Sequence, residues 1–243
     1  MNVYGRNAVL EYLRTLKEGQ GAELYVSQSA HGKIIQEILN EASRARVRVV
    51  PREKGFFSDL GPSSVHQGVA LNIQRDAGDA ARAGDDGLIE RAVSSRGVIV
   101  LLDQLTDPHN VGSIIRTAEA LGAVGVVTLK AHSSPVTATV IKASAGATAH
   151  LPVLEVSNAA QFLDKAKRAG CWIIGSAGNG TVGMKRLREL RPAVLVIGSE
   201  GTGMRRITGE KCDHVVRIPL KGRVESLNAS VAAGILLYEL LGE

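Results

Sequence analysis

From residue 97 onward, short runs of Val, Ile and Leu alternate with stretches whose apolar residues recur every three to four positions. The runs at 98–102, 124–128, 151–154, 171–174, 193–197 and 215–218 read as strands, and the Val- and Ile-rich ones at 193–197 and 215–218 fit strands buried on both faces of a parallel sheet. Helical spacing predicts helices over 111–121, 137–143 and 158–169, with a last one over 229–241. In that last helix Val231, Ile235, Leu236, Tyr238 and Leu240 occupy most of the circumference, which predicts burial on more than one side. Regular strand–helix alternation implies an α/β domain whose sheet is covered by helices on both faces.

The first 75 residues carry their own α/β pattern: helix 5–16, strand 23–26, helix 31–45, and strands 47–50 and 65–73. Ile34, Ile35, Ile38 and Leu39 give the second helix one apolar face. Residues 76–92, rich in Ala, Gly and Asp, read as a flexible linker with room for a short helix toward its end. The predicted organisation is therefore a small α/β domain over 1–75, a linker over 76–92 and a larger α/β domain over 93–243. A chain of 243 residues is comfortable for two domains.

Composition narrows the class. Hydrophobic residues at 44% and charged residues at 22% describe an ordinary globular protein, and no apolar run approaches the roughly 20 residues of a membrane span. The amino terminus lacks a signal-peptide pattern, so a cytoplasmic location is expected. Cys171 and Cys212 each adjoin a strand and show no CxxC spacing, which predicts buried free thiols. The six histidines never fall three to five apart, so no metal is expected. A net charge of +5 is compatible with a polyanionic partner. Arg44, Arg46, Arg48 and Arg52 cluster in the small domain, as a solvated surface or as a nucleic-acid contact. Aromatic residues at 3% argue against a base-stacking sheet.

Candidate chemistry gathers where loops follow strands, the ligand-binding edge of open α/β sheets. After the strand at 193–197 comes Gly198-Ser-Glu-Gly-Thr-Gly-Met204, whose glycines permit close approach and positive φ and whose only charge is Glu200. After 215–218 comes a loop from Pro219 through Gly222 to Ser226 and Asn228, either of which can cap the last helix. After 98–102 comes Asp103-Gln-Leu-Thr-Asp-Pro-His-Asn110, with Asn110 read as the cap of the next helix. On that helix Val111, Ile114, Ile115, Ala118 and Leu121 point to the core, leaving Ser113, Arg116, Thr117 and Ala120 on another face. Arg116 there either pairs with Glu119 or stays free for a ligand, presenting five fixed donors.

These three stretches, 102–122, 198–204 and 218–240, resemble in order the three signature motifs of the SpoU (TrmH) family of RNA 2′-O-ribose methyltransferases. The resemblance implies a SPOUT-type parallel sheet with a carboxyl-terminal trefoil knot, joined to a small ribosomal-protein-like domain that binds RNA. Periodicity shows no knot, and the general avoidance of threaded chains argues against one. The implied reaction is transfer of a methyl group from S-adenosylmethionine to a ribose 2′-hydroxyl, with a guanosine of 23S rRNA as the expected target and tRNA as the alternative. Carried over by motif, Asn110, Arg116, Glu200, Ser226 and Asn228 are the catalytic candidates, and Gly198, Ile218 and Leu227 the cofactor-binding ones. Arg116 is expected to act as general base or to stabilise an alkoxide or phosphate. Residues 142–147, Lys-Ala-Ser-Ala-Gly-Ala, resemble a further family segment, and their small side chains predict close packing or a subunit contact. A homodimer through the catalytic domain is expected, because the last helix is more apolar than one sheet can cover.

Two other classes fit less well. A nicotinamide-dependent dehydrogenase needs GxGxxG after its first strand, and here no glycine follows Leu102 until Gly112. A non-catalytic RNA-binding or ribosome-assembly factor on the same fold would have no need of all five polar candidates.

Overall fold

The computed structural model describes residues 1–18, 20–60, 66–74, 84–223 and 226–242. Chain order begins β1 (Asn2–Tyr4), α1 (Arg6–Thr15), β2 (Ala22–Ser27), α2 (Lys33–Arg44), β3 (Arg48–Arg52), α3 (Lys54–Ser58), β4 (Val69–Ile73) and α4 (Asp85–Ser95). It continues with β5 (Val98–Asp103), α5 (Pro108–Ala120), β6 (Gly125–Leu129), α6 (Ala138–Ala143), β7 (Val153–Val156), α7 (Ala159–Arg168) and β8 (Trp172–Ser176). It ends with β9 (Ala193–Gly198), α8 (Arg206–Gly209), β10 (His214–Val216) and α9 (Ala229–Leu241). The chain forms two compact units, 1–81 together with 136–150, and 82–135 together with 151–243.

The first unit is a four-stranded sheet in the order β1-β4-β2-β3, with β2 and β3 parallel and β4 antiparallel to its two neighbours. Ile35, Ile38 and Ala42 bury one face of α2, while Ile34 and Leu39 pack at its margin. Strand β4 begins at Val69, later than predicted, because Gln67 and Gly68 turn the chain with φ of 53° and 79°. The predicted start at Val65 lies outside the described residues. Helix α6 belongs to this unit rather than to the larger domain predicted to hold it. Ile141 joins the small core, and Tyr12 Oη donates to Thr148 Oγ1 at 3.1 Å. The small residues at 142–147 are needed for close packing inside the chain: a Cβ on Gly146, at φ 90°, would come within 3.0 Å of Ala8 Cα.

The second unit is a six-stranded, all-parallel sheet in the order β10-β8-β9-β5-β6-β7. Strand β5 is buried at every position and β9 at all but its last, as its unbroken apolar run predicts, whereas β10, predicted to be buried alike, lies at the sheet edge and is fully buried only at Val216. Alternation with period two assigns Ile99, Leu101, Val194 and Val196 to the core under α4 and α7, together with Leu88, Ile89, Phe162 and Leu163. Helices α5 and α9 pack together, and α9 also meets β9. Helix α4 occupies much of the stretch read as linker. Leu88, Ile89 and Ala92 are buried, and Lys165 Nζ holds Asp85 at 2.7 Å. The rest of that stretch, 76–83, lies outside the described residues. On α9, Ala233, Leu236, Leu237 and Leu240 are buried, whereas Val231 and Tyr238 are about half exposed at 51% and 56%. No described helix is long and apolar enough to cross a membrane.

Candidate functional site

The chain leaves β5 in one direction toward β6 and β7, and β9 lies on the other side of β5. That reversal of strand order opens a crevice at the carboxyl ends of the two central strands, where Asp103 and Gly198 are paired in register. Each of the three motifs delivers a polar side chain here.

Helix α5 starts one turn earlier than predicted. Asp107 is its cap, accepting from His109 N at 2.9 Å, and Pro108 fills the first helical position. Asn110 is therefore not the cap but a buried residue in the first turn, 8% exposed. Its Nδ2 donates to Glu200 Oε1 at 2.9 Å, and its Oδ1 accepts from Asn228 Nδ2 at 2.9 Å. Glu200 Oε1 also accepts from Asn228 Nδ2 and from Ala229 N, the latter at 3.2 Å. Asn228 turns its own Oδ1 to the start of α9, accepting from Ser230 N at 2.9 Å and Val231 N at 3.3 Å. It is thus cap and site residue at once. Three residues 118 positions apart at their extremes close one carboxamide–carboxylate network.

The glycine loop that presents Glu200 is held from two sides. Ser199 and Gly203 exchange backbone hydrogen bonds of 3.1 and 3.0 Å, and Gly201 and Gly203 take φ of 84° and 69°. A Cβ on Gly198 would lie 2.3 Å from Gly203 C and Met204 N, so only glycine fits. Beneath the loop, Asp103 is fully buried and grips Arg205 through its backbone N–H at 2.9 Å, Nε at 2.8 Å and Nη2 at 2.7 Å. Sequence reasoning missed this pair because it ended the motif at Met204. A lone acid closing the apolar run 98–102 was the available signal.

The other candidates lie around this centre. Ile218, just after β10, and Leu227 are half-buried. Ser226 is exposed and makes no hydrogen bond to the network. Arg116 is exposed on α5, on the face predicted for it, and forms no ion pair with Glu119 or with any other described residue. Neither cysteine is suited to nucleophilic chemistry. Burial pushes the Cys171 thiol up, and burial with the neighbouring Asp213 carboxylate pushes Cys212 to about 11.

A parallel α/β sheet with a polar network at its strand-order reversal defines a ligand-binding α/β scaffold. Family comparison specifies it. Residues 97–238 match the SpoU rRNA Methylase family, and residues 2–77 match the RNA 2′-O ribose methyltransferase substrate binding domain. The chain belongs to the SpoU methylase family. It is 37% identical over 241 residues to the 23S rRNA (guanosine-2′-O-)-methyltransferase RlmB of Pseudomonas aeruginosa, covering 98% of this chain and 95% of that one. YacO of Bacillus subtilis, named for the TrmH family of tRNA/rRNA methyltransferases, is 38% identical over 240 residues, covering 98% and 94%. The crystal structure of the SpoU methyltransferase AviRb from Streptomyces viridochromogenes in complex with AdoMet superimposes with a TM-score of 0.75 at 27% identity, covering 98% of this chain and 88% of that one.

Proposed function

We propose that this protein methylates a ribose 2′-hydroxyl of RNA with S-adenosylmethionine as donor, and that a guanosine of 23S rRNA is its target. The observation that carries the reading is the Asn110–Glu200–Asn228 network, in which three separate motifs meet at the crevice of the sheet. The relative RlmB, alike over both units, favours 23S rRNA over tRNA.

The residues present fit the cofactor. Gly198 and Ile218 stand at the carboxyl ends of β9 and β10, either side of β8, and with Leu227 they offer half-buried apolar surface and backbone groups to an adenine. The bound sulfonium would supply an activated methyl group. What remains for this chain is to align the hydroxyl and manage one proton. Glu200 and the two asparagines fix the loop and the start of α9 relative to α5. Arg116, exposed and without a partner among the described residues, is the group left to receive the substrate. A guanidinium has five donors and no acceptor, so its role is to hold a phosphate or the developing alkoxide rather than to take a proton.

Three finer features belong to the same proposal. The amino-terminal unit acts as a ribosomal-protein-like RNA holder. The carboxyl-terminal segment is tucked as a trefoil knot, as the family resemblance implies, and Arg188 Nε and Arg191 Nη1 tie the end of α9 to the segment preceding β9 by donating to the carbonyls of Glu239 and Leu240. A second copy covers the exposed Val231 and Tyr238, on the helix whose Gly234 lies against Thr117, next to Arg116. Light scattering tests this last point, and a monomer at full activity removes it. The reaction itself is tested with purified protein, labelled S-adenosylmethionine and rRNA or tRNA transcripts, followed by nuclease mapping of the product. Label on a 2′-oxygen of rRNA is expected. Label on a base, or none on either RNA, refutes the reading.

A further inference from the structure

The first unit contains a cavity of about 480 Å³, within the range of small-ligand sites and remote in sequence from the motifs just described. Arg6 and Lys54 stand at its wall, with the Ser27 and Ser29 hydroxyls, Phe57 and His66, and among the described residues no acidic side chain lines it. Among the described residues neither cation has a carboxylate partner, and Arg6 is oriented by its Nε donating to Gln67 O at 3.1 Å. Phe57, 1% exposed, stacks on His66 with centroids 4.9 Å apart and planes 29° apart. Gly68 N donates to His66 Nδ1 at 2.9 Å, so that nitrogen carries a lone pair and the neutral ring bears its proton on Nε2. Burial, which lowers the His66 pKa, favours the same neutral form.

The surface beside the cavity continues the theme. Phe56 lies 5.3 Å from Phe57 and 5.1 Å from Tyr25, and the Arg52 guanidinium sits over both Phe56 and Tyr25, at 5.0 and 5.6 Å. The other three arginines of the basic cluster are committed elsewhere: Arg44 to Glu41 and to carbonyls of α1, Arg46 to Glu18, and Arg48 to Glu23. Of the four, Arg52 alone meets aromatic faces and, among the described residues, no carboxylate. Cations without acids, aromatic rings and hydroxyls around a hollow of this size match one chemistry: a phosphate outside, a ribose at the rim and a base within.

We infer that this cavity holds one unpaired nucleotide of the RNA substrate, with its phosphate against Lys54 and Arg6, while Arg52 guides the neighbouring backbone. The inference rests on the RNA-methyltransferase reading and adds the place where the amino-terminal unit grips the strand outside the reaction centre.

The test uses the full chain and two variants at the cavity wall, with melting curves recorded for each because Ala30 also packs against the core of the first unit. Lys54→Gln removes a charge, and Ala30→Phe fills the hollow without changing charge. Binding of a fluorescent single-stranded 12-nucleotide RNA is read by anisotropy across a salt series, alongside methylation kinetics on rRNA. Each variant should weaken RNA binding about tenfold and raise KM for RNA, while cofactor affinity and kcat at saturating RNA stay within twofold. Lys54→Gln should also flatten the salt slope by about 0.7, the value for one lost phosphate contact on a single strand. RNA affinity and KM within twofold of the parent in both variants, with unchanged melting curves, overturns the pocket and leaves the enzymatic reading standing. A parent protein that neither binds nor methylates RNA overturns both.

Discussion

Replacing Asp103 by Ala tests how the glycine loop is held. Its carboxylate is fully buried and accepts two hydrogen bonds from Arg205, one of them from the backbone, with Nη2 2.7 Å away in the same ion pair. Breaking a buried ion pair from one side costs about 3–5 kcal/mol when the remaining charge stays trapped. Arg205 is 36% exposed, so its guanidinium can turn to water. That lowers the expected loss to about 2–3 kcal/mol, most of it from the abandoned backbone N–H and the space left behind. For a unit of this size, each kcal/mol moves the melting midpoint by about 2–4 °C, so a fall of roughly 5–10 °C is expected by calorimetry. Asp103→Asn, which keeps an acceptor for the backbone N–H, should lose about half as much. The freed loop no longer presents Glu200 and Gly198 in one arrangement, so S-adenosylmethionine affinity should fall at least about tenfold by titration calorimetry, equivalent to roughly 1.4 kcal/mol. A midpoint within 1 °C of the parent with unchanged cofactor affinity would refute the claim that this pair anchors the loop.

Arg116→Ala should reduce kcat for methyl transfer by about 100-fold or more while cofactor affinity stays within twofold, since the side chain has no partner to lose among the described residues. Equal losses in both measurements would make it a structural residue. Asn228→Ala should lower the melting midpoint by about 2–6 °C through the lost helix cap, and activity with it. Asn228→Asp keeps the acceptor that caps α9 but loses both Nδ2 donor bonds and sets a second carboxylate against Glu200, so it should restore neither the midpoint nor the activity to the parent's level. Cys212 separates the folded from the unfolded state at high pH. Its folded value of about 11 lies above the ordinary 9.0, so the unfolded chain releases the proton first. The stability it contributes is therefore full below about pH 9 and lost as pH rises toward 11, and Cys212→Ala should flatten that decline in urea titrations.

Much of this protein was legible in the order of its residues. A strand buried on both faces must be apolar at consecutive positions, so the Val/Ile/Leu runs located the six parallel strands to within a few residues. Glycine is the one residue tolerated where backbone meets backbone or φ turns positive, so the loop 198–204 announced a turn at a strand end. The amphipathic spacing on α5 by itself separates Arg116 from the core. Short elements escaped, because three residues of β1 or five of α3 carry too little periodicity to stand out.

Tertiary structure decided what depends on distance in space between residues far apart in the chain. Asn110 looked like a cap, and only the fold showed Asp107 in that place and Asn110 bonded to Glu200 and Asn228. The small residues at 142–147 predicted close packing, but nothing local tells which surface they meet; Ala8 on α1 is 138 positions away from Gly146. An aromatic content of 3% argued against stacking surfaces, yet Tyr25, Phe56 and Phe57 come together beside His66 and Arg52. Composition averages over the chain and periodicity reports only the nearest turn or pleat, so sequence determined which faces must be buried and where the backbone must bend. Which polar groups then meet was settled by strand order, because the crevice between β5 and β9 exists only after the sheet has assembled around it.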